Sequence, residues 1–82
     1  MKYDIQFKPR AVKDIKKISS HMQTKIIKSI EMMCENLDGD VKRLTNFTPE
    51  YRLRVGDYRV VFEIENKSII IYRVRHRREV YR

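Results

Sequence analysis

Tyr51-Arg-Leu-Arg-Val-Gly-Asp-Tyr-Arg-Val-Val-Phe62 decides how the chain reads. Apolar residues alternate through Tyr51, Leu53 and Val55 and again through Tyr58, Val60 and Phe62, the two-residue period of a half-buried strand. Gly56-Asp57 between the runs is a two-residue turn signal, so the stretch predicts a β-hairpin. Arg52, Arg54 and Arg59 fall on its opposite face. A two-residue turn makes Val55 face Tyr58, which sets Arg54 across from Arg59. Like charges directly opposed across strands are destabilising, so a short hairpin that keeps them points to a polyanion on that face.

Downstream, the second strand runs on to Ile64, Asn66-Lys67-Ser68 marks the next turn, and Ile69 to Arg75 forms the last long strand. The parity of that turn decides where the later arginines point. A two-residue turn opposes Ile64 to Ile69 and puts Arg73 and Arg75 on the buried face with Phe62 and Val60. A three-residue loop, or a bulge, shifts the register by one. Burying two unpaired guanidinium groups costs far more than a bulge, so an odd-length loop is expected. Ile70, Tyr72 and Val74 then join the core and Arg75 comes opposite Arg59. Arg52, Arg54, Arg59, Arg73 and Arg75 share one open face, with Val61, Ile69 and Ile71 at its far end. Continued alternation would bring Arg77, Glu79 and Tyr81 to that side. His76, which titrates near neutrality, is the candidate acid or base, but the same alternation puts it on the core side with Tyr72 and Val74, as a packed, hydrogen-bonded residue. A bulge near Arg75 would reverse that placement.

Upstream, Tyr3, Ile5 and Phe7 alternate as one face of a short strand over Lys2 to Phe7. Pro9 marks the first turn of a helix, where its missing N–H costs nothing. Ala11, Val12, Ile15 and Ile18 make an apolar stripe with Lys13, Lys16 and Lys17 outside. Ser19-Ser20 interrupts, and Ser20 with Gln23 reads as a capping box opening a second helix. Met22, Ile26, Ile27, Ile30, Met33, Cys34 and Leu37 carry its helical period, with the methionines as core filler, and Gly39 ends it. His21 reads as a surface residue. Residues 40–50 read as an irregular connection anchored by Val41, Leu44 and Phe47, with Lys42 and Arg43 adding charge beside the hairpin. The expected fold is α+β. An N-terminal strand and an antiparallel helix pair pack on one face of an antiparallel sheet that ends in a three-strand meander, all within one domain over 1–82.

The chain has 82 residues, 41% of them apolar, with no run long enough to cross a membrane. No leader segment or membrane partner is expected. One cysteine, Cys34, leaves neither an internal disulfide nor a Cys-based zinc site, and with it goes a cytoplasmic setting. Its place in an apolar stripe makes it a small buried hydrophobe. No metal or cofactor is expected. The net charge of +8 is unevenly made: residues 1–41 hold eight Lys/Arg of which one is Arg, and residues 42–82 hold eleven of which nine are Arg. Arginine grips phosphate with a planar fork, where lysine offers a hydrated point charge. Its concentration in one half points to nucleic acid.

With the hairpin, the arginine face and His76-Arg-Arg-Glu-Val-Tyr81 assembled, the chain resembles, over its whole length, the RelE/ParE superfamily of bacterial toxins, most closely the RelE branch. The resemblance implies a ribosome-dependent mRNA endoribonuclease that cuts in the A site without a metal. It also implies a RelB-like antitoxin as partner, whose complex binds operator DNA through the antitoxin. In the RelE pattern basic residues stand at Arg52 and Arg54, arginines at Arg59 and Arg75 and a tyrosine at Tyr81, and these five are the implied catalytic set. Lysines serve at the first two positions in the best-known pattern. Arginine is a poor general base, so here those two become electrostatic stabilisers and RNA clamps, with Arg59 and Arg75 on the scissile phosphate and Tyr81 stacking on a base. Lys42, Arg43, Arg73 and Arg77 are the accessory nucleic-acid contacts. Arg73 could instead pair with Glu63 or Glu65, and Arg78 and Arg82 read as solubilising charge. Two other classes remain open on the residues: a ParE-like inhibitor of DNA gyrase that acts by binding, and a basic nucleic-acid-binding module without cleavage.

Overall fold

The computed structural model describes residues 2–44 and 48–80. In chain order it contains β1 (Asp4–Phe7), α1 (Pro9–Lys16), α2 (Ser20–Asn36), β2 (Asp40–Arg43), β3 (Tyr51–Val55), β4 (Tyr58–Glu65), β5 (Ser68–His76) and α3 (Arg77–Val80). The strands form one five-stranded sheet in the order β1-β5-β4-β3-β2. β3, β4 and β5 are the expected meander. β1 joins the free edge of β5 in parallel, so the sheet is mixed rather than antiparallel throughout. No hairpin links β1 to β5, and nothing in the local pattern could have fixed their relative direction. Asp40–Arg43, expected as irregular chain, is an edge strand against β3. It carries one inward apolar residue, Val41 opposite Leu53, too short an alternation to be seen in the sequence. Phe47 lies outside the described residues.

The helices α1 and α2 cover one face of the sheet. Ala11 from α1 and Ile26, Ile30, Met33 and Cys34 from α2 meet Leu53, Val55, Val60, Phe62, Ile69, Ile71 and Val74 in one buried cluster. Met33 is core, but Met32 is 62% exposed, so the methionines are not uniformly filler. Pro9 opens α1 as expected. The cap of α2 falls one residue earlier than expected: Ser19 Oγ accepts the Met22 N–H at 3.4 Å. Gln23 does not close a capping box. Its Nε2 donates to the carbonyls of Ile15 and Ile18, both at 2.8 Å, and so satisfies the end of α1 from the start of α2. Leu37, not glycine, takes the left-handed cap position at φ 60°, and its side chain packs against the core. Cys34 is buried, and burial together with the nearby charges of Glu35 and Glu31 pushes its thiol pKa up, away from reactivity.

Val55 faces Tyr58 across a two-residue turn, as the sequence predicts. Gly56 there has φ 58°, and a Cβ added to it would meet no atom within 4 Å. The cost of a side chain at this position is therefore purely conformational. Gly56→Ala is expected to lower stability by about 1 kcal/mol, which is roughly 4–8 °C in a domain of this size. Gly56→Asn should cost less, because asparagine tolerates positive φ. Thermal melts of the two variants check the order.

The turn between β4 and β5 corrects the odd-loop expectation. Glu65 faces Ser68, so the turn is the two-residue Asn66-Lys67, with Asn66 at φ 57°. Ile64 opposes Ile69 and Phe62 opposes Ile71, and both isoleucines are fully buried in the core. They do not line the far end of the arginine face; Ile70 and Val61 take those positions, and both are buried. The register then shifts between Phe62↔Ile71 and Val61↔Arg73, leaving Tyr72 as the extra residue of a β-bulge. Past the bulge Val74 faces Val60 in the core, and Arg75 faces Arg59. The one residue of slip that parity requires is therefore present, but not in the loop. The chain places it where the apolar run Ile69-Ile70-Ile71 gives way to arginine, which lets the isoleucines pack first. Tyr72 is half-buried, its ring centroid 5.4 Å from Lys8 Nζ.

Among the described residues no helix is long and apolar enough to cross a membrane.

Candidate nucleic-acid interface

The sheet face away from the helices carries the arginines. Arg54 lies opposite Arg59, and Arg59 opposite Arg75, so three guanidinium-bearing side chains stand in register on β3, β4 and β5. Strands lie about 4.8 Å apart, so the row spans roughly 10 Å. Arg59 at its centre is 7% exposed, the one buried charged residue among those described. Its Nη1 donates to the carbonyls of Gly56 at 3.4 Å and Tyr58 at 3.3 Å, so the hairpin turn orients this fork. Arg75 is half-buried, and its Nε is buried with no hydrogen-bond partner among the described residues. A buried N–H left unmet costs about 1–3 kcal/mol, and such a group in a charged row invites an acceptor oxygen. Arg54 is exposed.

Arg52 shares the face but stands one step out of the row, opposite Val61. Its Nη1 donates to the backbone carbonyl of Asp40 at 2.8 Å and to Asp40 Oδ1 at 3.1 Å, and the side chain is 14% exposed. Asp40 therefore neutralises part of its charge. Lys42 is exposed opposite Arg52 and extends the positive face onto β2. Arg43 does not belong to it. Its partner is Tyr51, so it has the parity of the helix side, and it pairs with Glu50 at 3.3 Å while 71% exposed. Arg77 does not continue the strand: it starts α3, with its N–H donating to the Asp57 carbonyl at 2.7 Å and its side chain exposed. Tyr81 and Arg82 lie outside the described residues.

Arg73 occupies a register position on the arginine face, but its fork turns to α1. Its Nε and Nη2 donate to the two carboxylate oxygens of Asp14 at 2.7 and 3.1 Å, and the Val74 N–H donates to the same carboxylate at 3.0 Å. The carboxylate that takes this fork is thus Asp14, and Glu63 accepts the Glu50 N–H at 2.8 Å. Asp14 was missed in the sequence, although a signal exists: it falls between Ala11 and Ile15 in the apolar stripe of α1, where a carboxylate needs a buried partner. Burial pushes the Asp14 carboxyl up. The Arg73 and Val74 hydrogen bonds and the charges of Arg73 and Arg10 outweigh burial, and the pKa ends below its ordinary 3.8. A depressed carboxylate pKa contributes stability that is complete above the unfolded value and is lost as pH falls through the folded one. Melting curves of the wild type and Asp14→Asn should therefore differ most at neutral pH and draw together as pH falls from about 4 through the lowered folded-state value of Asp14.

His76 is on the helix side of the sheet, opposite Tyr58 and edge-on to its ring at 5.5 Å, with Nδ1 accepting the Arg78 N–H at 3.3 Å. The core-side expectation for it holds, and it does not face the arginine row.

Residues 5–81 match the family described as the ParE toxin of the type II toxin–antitoxin system. Toxin RelE3 of Methanocaldococcus jannaschii is 35% identical over 94% of this chain and 93% of its own length. The chain belongs to the RelE/ParE toxin superfamily. The toxin fold of the RelB–RelE antitoxin–toxin complex from Methanococcus jannaschii superposes with a TM-score of 0.78 at 34% identity, covering 93% of this chain and 94% of that one. The archaeal RelE–RelB complex from Pyrococcus horikoshii gives 0.77 at 22% identity, covering 94% and 97%, which speaks for the fold alone. The RelE/ParE protein is thus a type II toxin by family, built as two helices on a mixed five-stranded sheet.

Proposed function

We propose that this toxin is a ribosome-dependent, metal-independent mRNA endoribonuclease acting in the A site in the cytoplasm. The observation that carries the reading is the register of Arg54, Arg59 and Arg75 across three strands, with a buried N–H on Arg75 that finds no acceptor among the described residues. The reaction is attack of a 2′-hydroxyl oxygen on the adjacent phosphorus. The P–O5′ bond breaks, leaving a 2′,3′-cyclic phosphate and a 5′-hydroxyl. The 2′-hydroxyl loses a proton and the leaving oxygen gains one. Charge accumulates on the phosphorane oxygens, and a preorganised row of guanidinium donors stabilises it more than it stabilises the ground state. Arginine stays protonated throughout the working pH range, so the row acts as charge and not as base. Arg59 and Arg75 hold the scissile phosphate, Arg54 with Arg52 and Lys42 clamps the flanking backbone, and Tyr81 stacks on a base. The partner is a RelB-like antitoxin laid over the basic face, and the complex binds operator DNA through the antitoxin.

The test is cleavage by purified toxin of one mRNA presented free or on ribosomes, with and without chelator. Cuts on ribosomes alone, bearing cyclic-phosphate ends and indifferent to chelator, are expected. The match to the ParE family keeps a second reading in play, inhibition of DNA gyrase by binding. Intact mRNA on ribosomes together with blocked supercoiling would establish that one instead.

A further inference from the structure

The arginine row depends on a backbone irregularity. β5 reaches the bulge at Tyr72 with Ile69 and Ile71 in the core, and only the extra residue brings Arg75 back to the side of Arg59. An unbulged continuation from Phe62↔Ile71 would set Val74 opposite Arg59 and Arg75 opposite Tyr58, on the helix side. A bulge leaves the ladder interrupted and the local chain under-restrained. The neighbour on the other edge gives no help, because the β1–β5 pairing that starts at Asp4↔Ser68 ends at Phe7↔Ile71, where the Lys8 N–H still donates to the Ile71 carbonyl. Beyond that point the edge of β5 has no strand partner on that side among the described residues.

Asp14 fills this gap. Its carboxylate accepts the Val74 N–H, the edge donor between the bulge and Arg75, and the fork of Arg73, the residue just past the bulge. Three hydrogen bonds from two consecutive residues converge on one side chain of α1. α1 itself is fixed to the sheet by Ala11, which is fully buried. We infer that Asp14 is a positioning residue for Arg75: it locks the post-bulge segment of β5 in the register that aims Arg75 at Arg59. Arg73 then serves as part of this brace, and the basic face works with one fewer phosphate contact than its sequence counts. The activity consequence rests on the cleavage reading; the register consequence does not.

Asp14→Ala, Asp14→Asn and the wild type are compared at a temperature where antitoxin binding and circular dichroism show all three folded. Two readouts are taken: the cross-strand nuclear Overhauser contacts between Arg59 and Arg75, and the kinetics of mRNA cleavage on ribosomes. Asp14→Ala should weaken the Arg59–Arg75 contacts and lower kcat about tenfold or more with KM little changed, since a small misplacement of a positioned group acts on the chemical step. Asparagine keeps an acceptor for the Val74 N–H and should recover kcat to within about threefold of wild type. A role in stability alone would lower the melting temperature of Asp14→Ala while leaving both contacts and kcat per folded molecule as in wild type, and that result overturns the inference. If Asp14→Ala does not fold, Asp14→Leu with Arg73→Met removes the acceptor of the Val74 N–H together with the guanidinium it pairs, so no buried charge loses its partner. Unchanged Arg59–Arg75 contacts and kcat in that variant would equally dismiss the inference. Should the wild type cut no RNA, the functional reading fails and the cross-strand contacts alone decide the positioning role.

Discussion

Arg75→Met is expected to abolish cleavage while leaving the fold intact or slightly more stable. Arg75 sits opposite Arg59, which sits opposite Arg54, so the central cation has a like charge on each side. Such pairing is destabilising, and the buried Nε of Arg75 adds a donor with no acceptor among the described residues. Methionine keeps the aliphatic stem and removes the Arg59–Arg75 repulsion along with that donor. Removing one donor aimed at a developing oxyanion costs about 10²–10³ in kcat. Cleavage should therefore fall by at least that factor while the melting temperature stays level or rises. Two measurements check this, single-turnover cleavage on ribosomes and a thermal melt. A variant that loses stability and keeps its rate would make Arg75 a structural residue.

Phe62→Ala is expected to have the largest effect on stability. Phe62 is fully buried, stacks on Tyr51 with ring centroids 5.5 Å apart, and faces Ile71 at the last pair before the bulge. Truncating a core phenylalanine costs about 3–5 kcal/mol. A domain of this length has about 4–12 kcal/mol in all. The variant should thus lose a third or more of a mid-range stability of about 8 kcal/mol and have a sharply lower denaturation midpoint. Chemical denaturation measures it directly. A loss below about 1 kcal/mol would mean that the β4–β5 core is not the main source of stability.

The hairpin was legible because period-two alternation and a Gly-Asp turn agree on one register. Tyr51, Leu53, Val55, Tyr58, Val60 and Phe62 took the core side and Arg52, Arg54 and Arg59 the other, as expected. The position of the register slip was not legible. Parity required one extra residue, but a loop residue and a bulge residue satisfy it equally, and only the packing of Ile69 and Ile71 against Phe62 and Ile64 chooses between them. Long-range electrostatics were equally hidden. Nothing local couples Asp14 to Arg73, 59 positions away, or Asp40 to Arg52. These two carboxylates separate the five arginines of the face into the row of Arg54, Arg59 and Arg75 and two forks already engaged. The parity of Arg43 is hidden for a related reason, because the edge strand that sets it, Asp40–Arg43, has too short an alternation to be seen in the sequence.

Mapping transcript 5′ ends in cells after induction, for the wild type and for Arg59→Ala with Arg75→Ala, addresses the arginine row most directly. Cuts at a fixed position within codons are expected in the wild type and none in the double variant, with both proteins present at equal levels and, once purified, equally able to bind antitoxin. The same cuts persisting in the double variant would show that the scissile phosphate is held elsewhere.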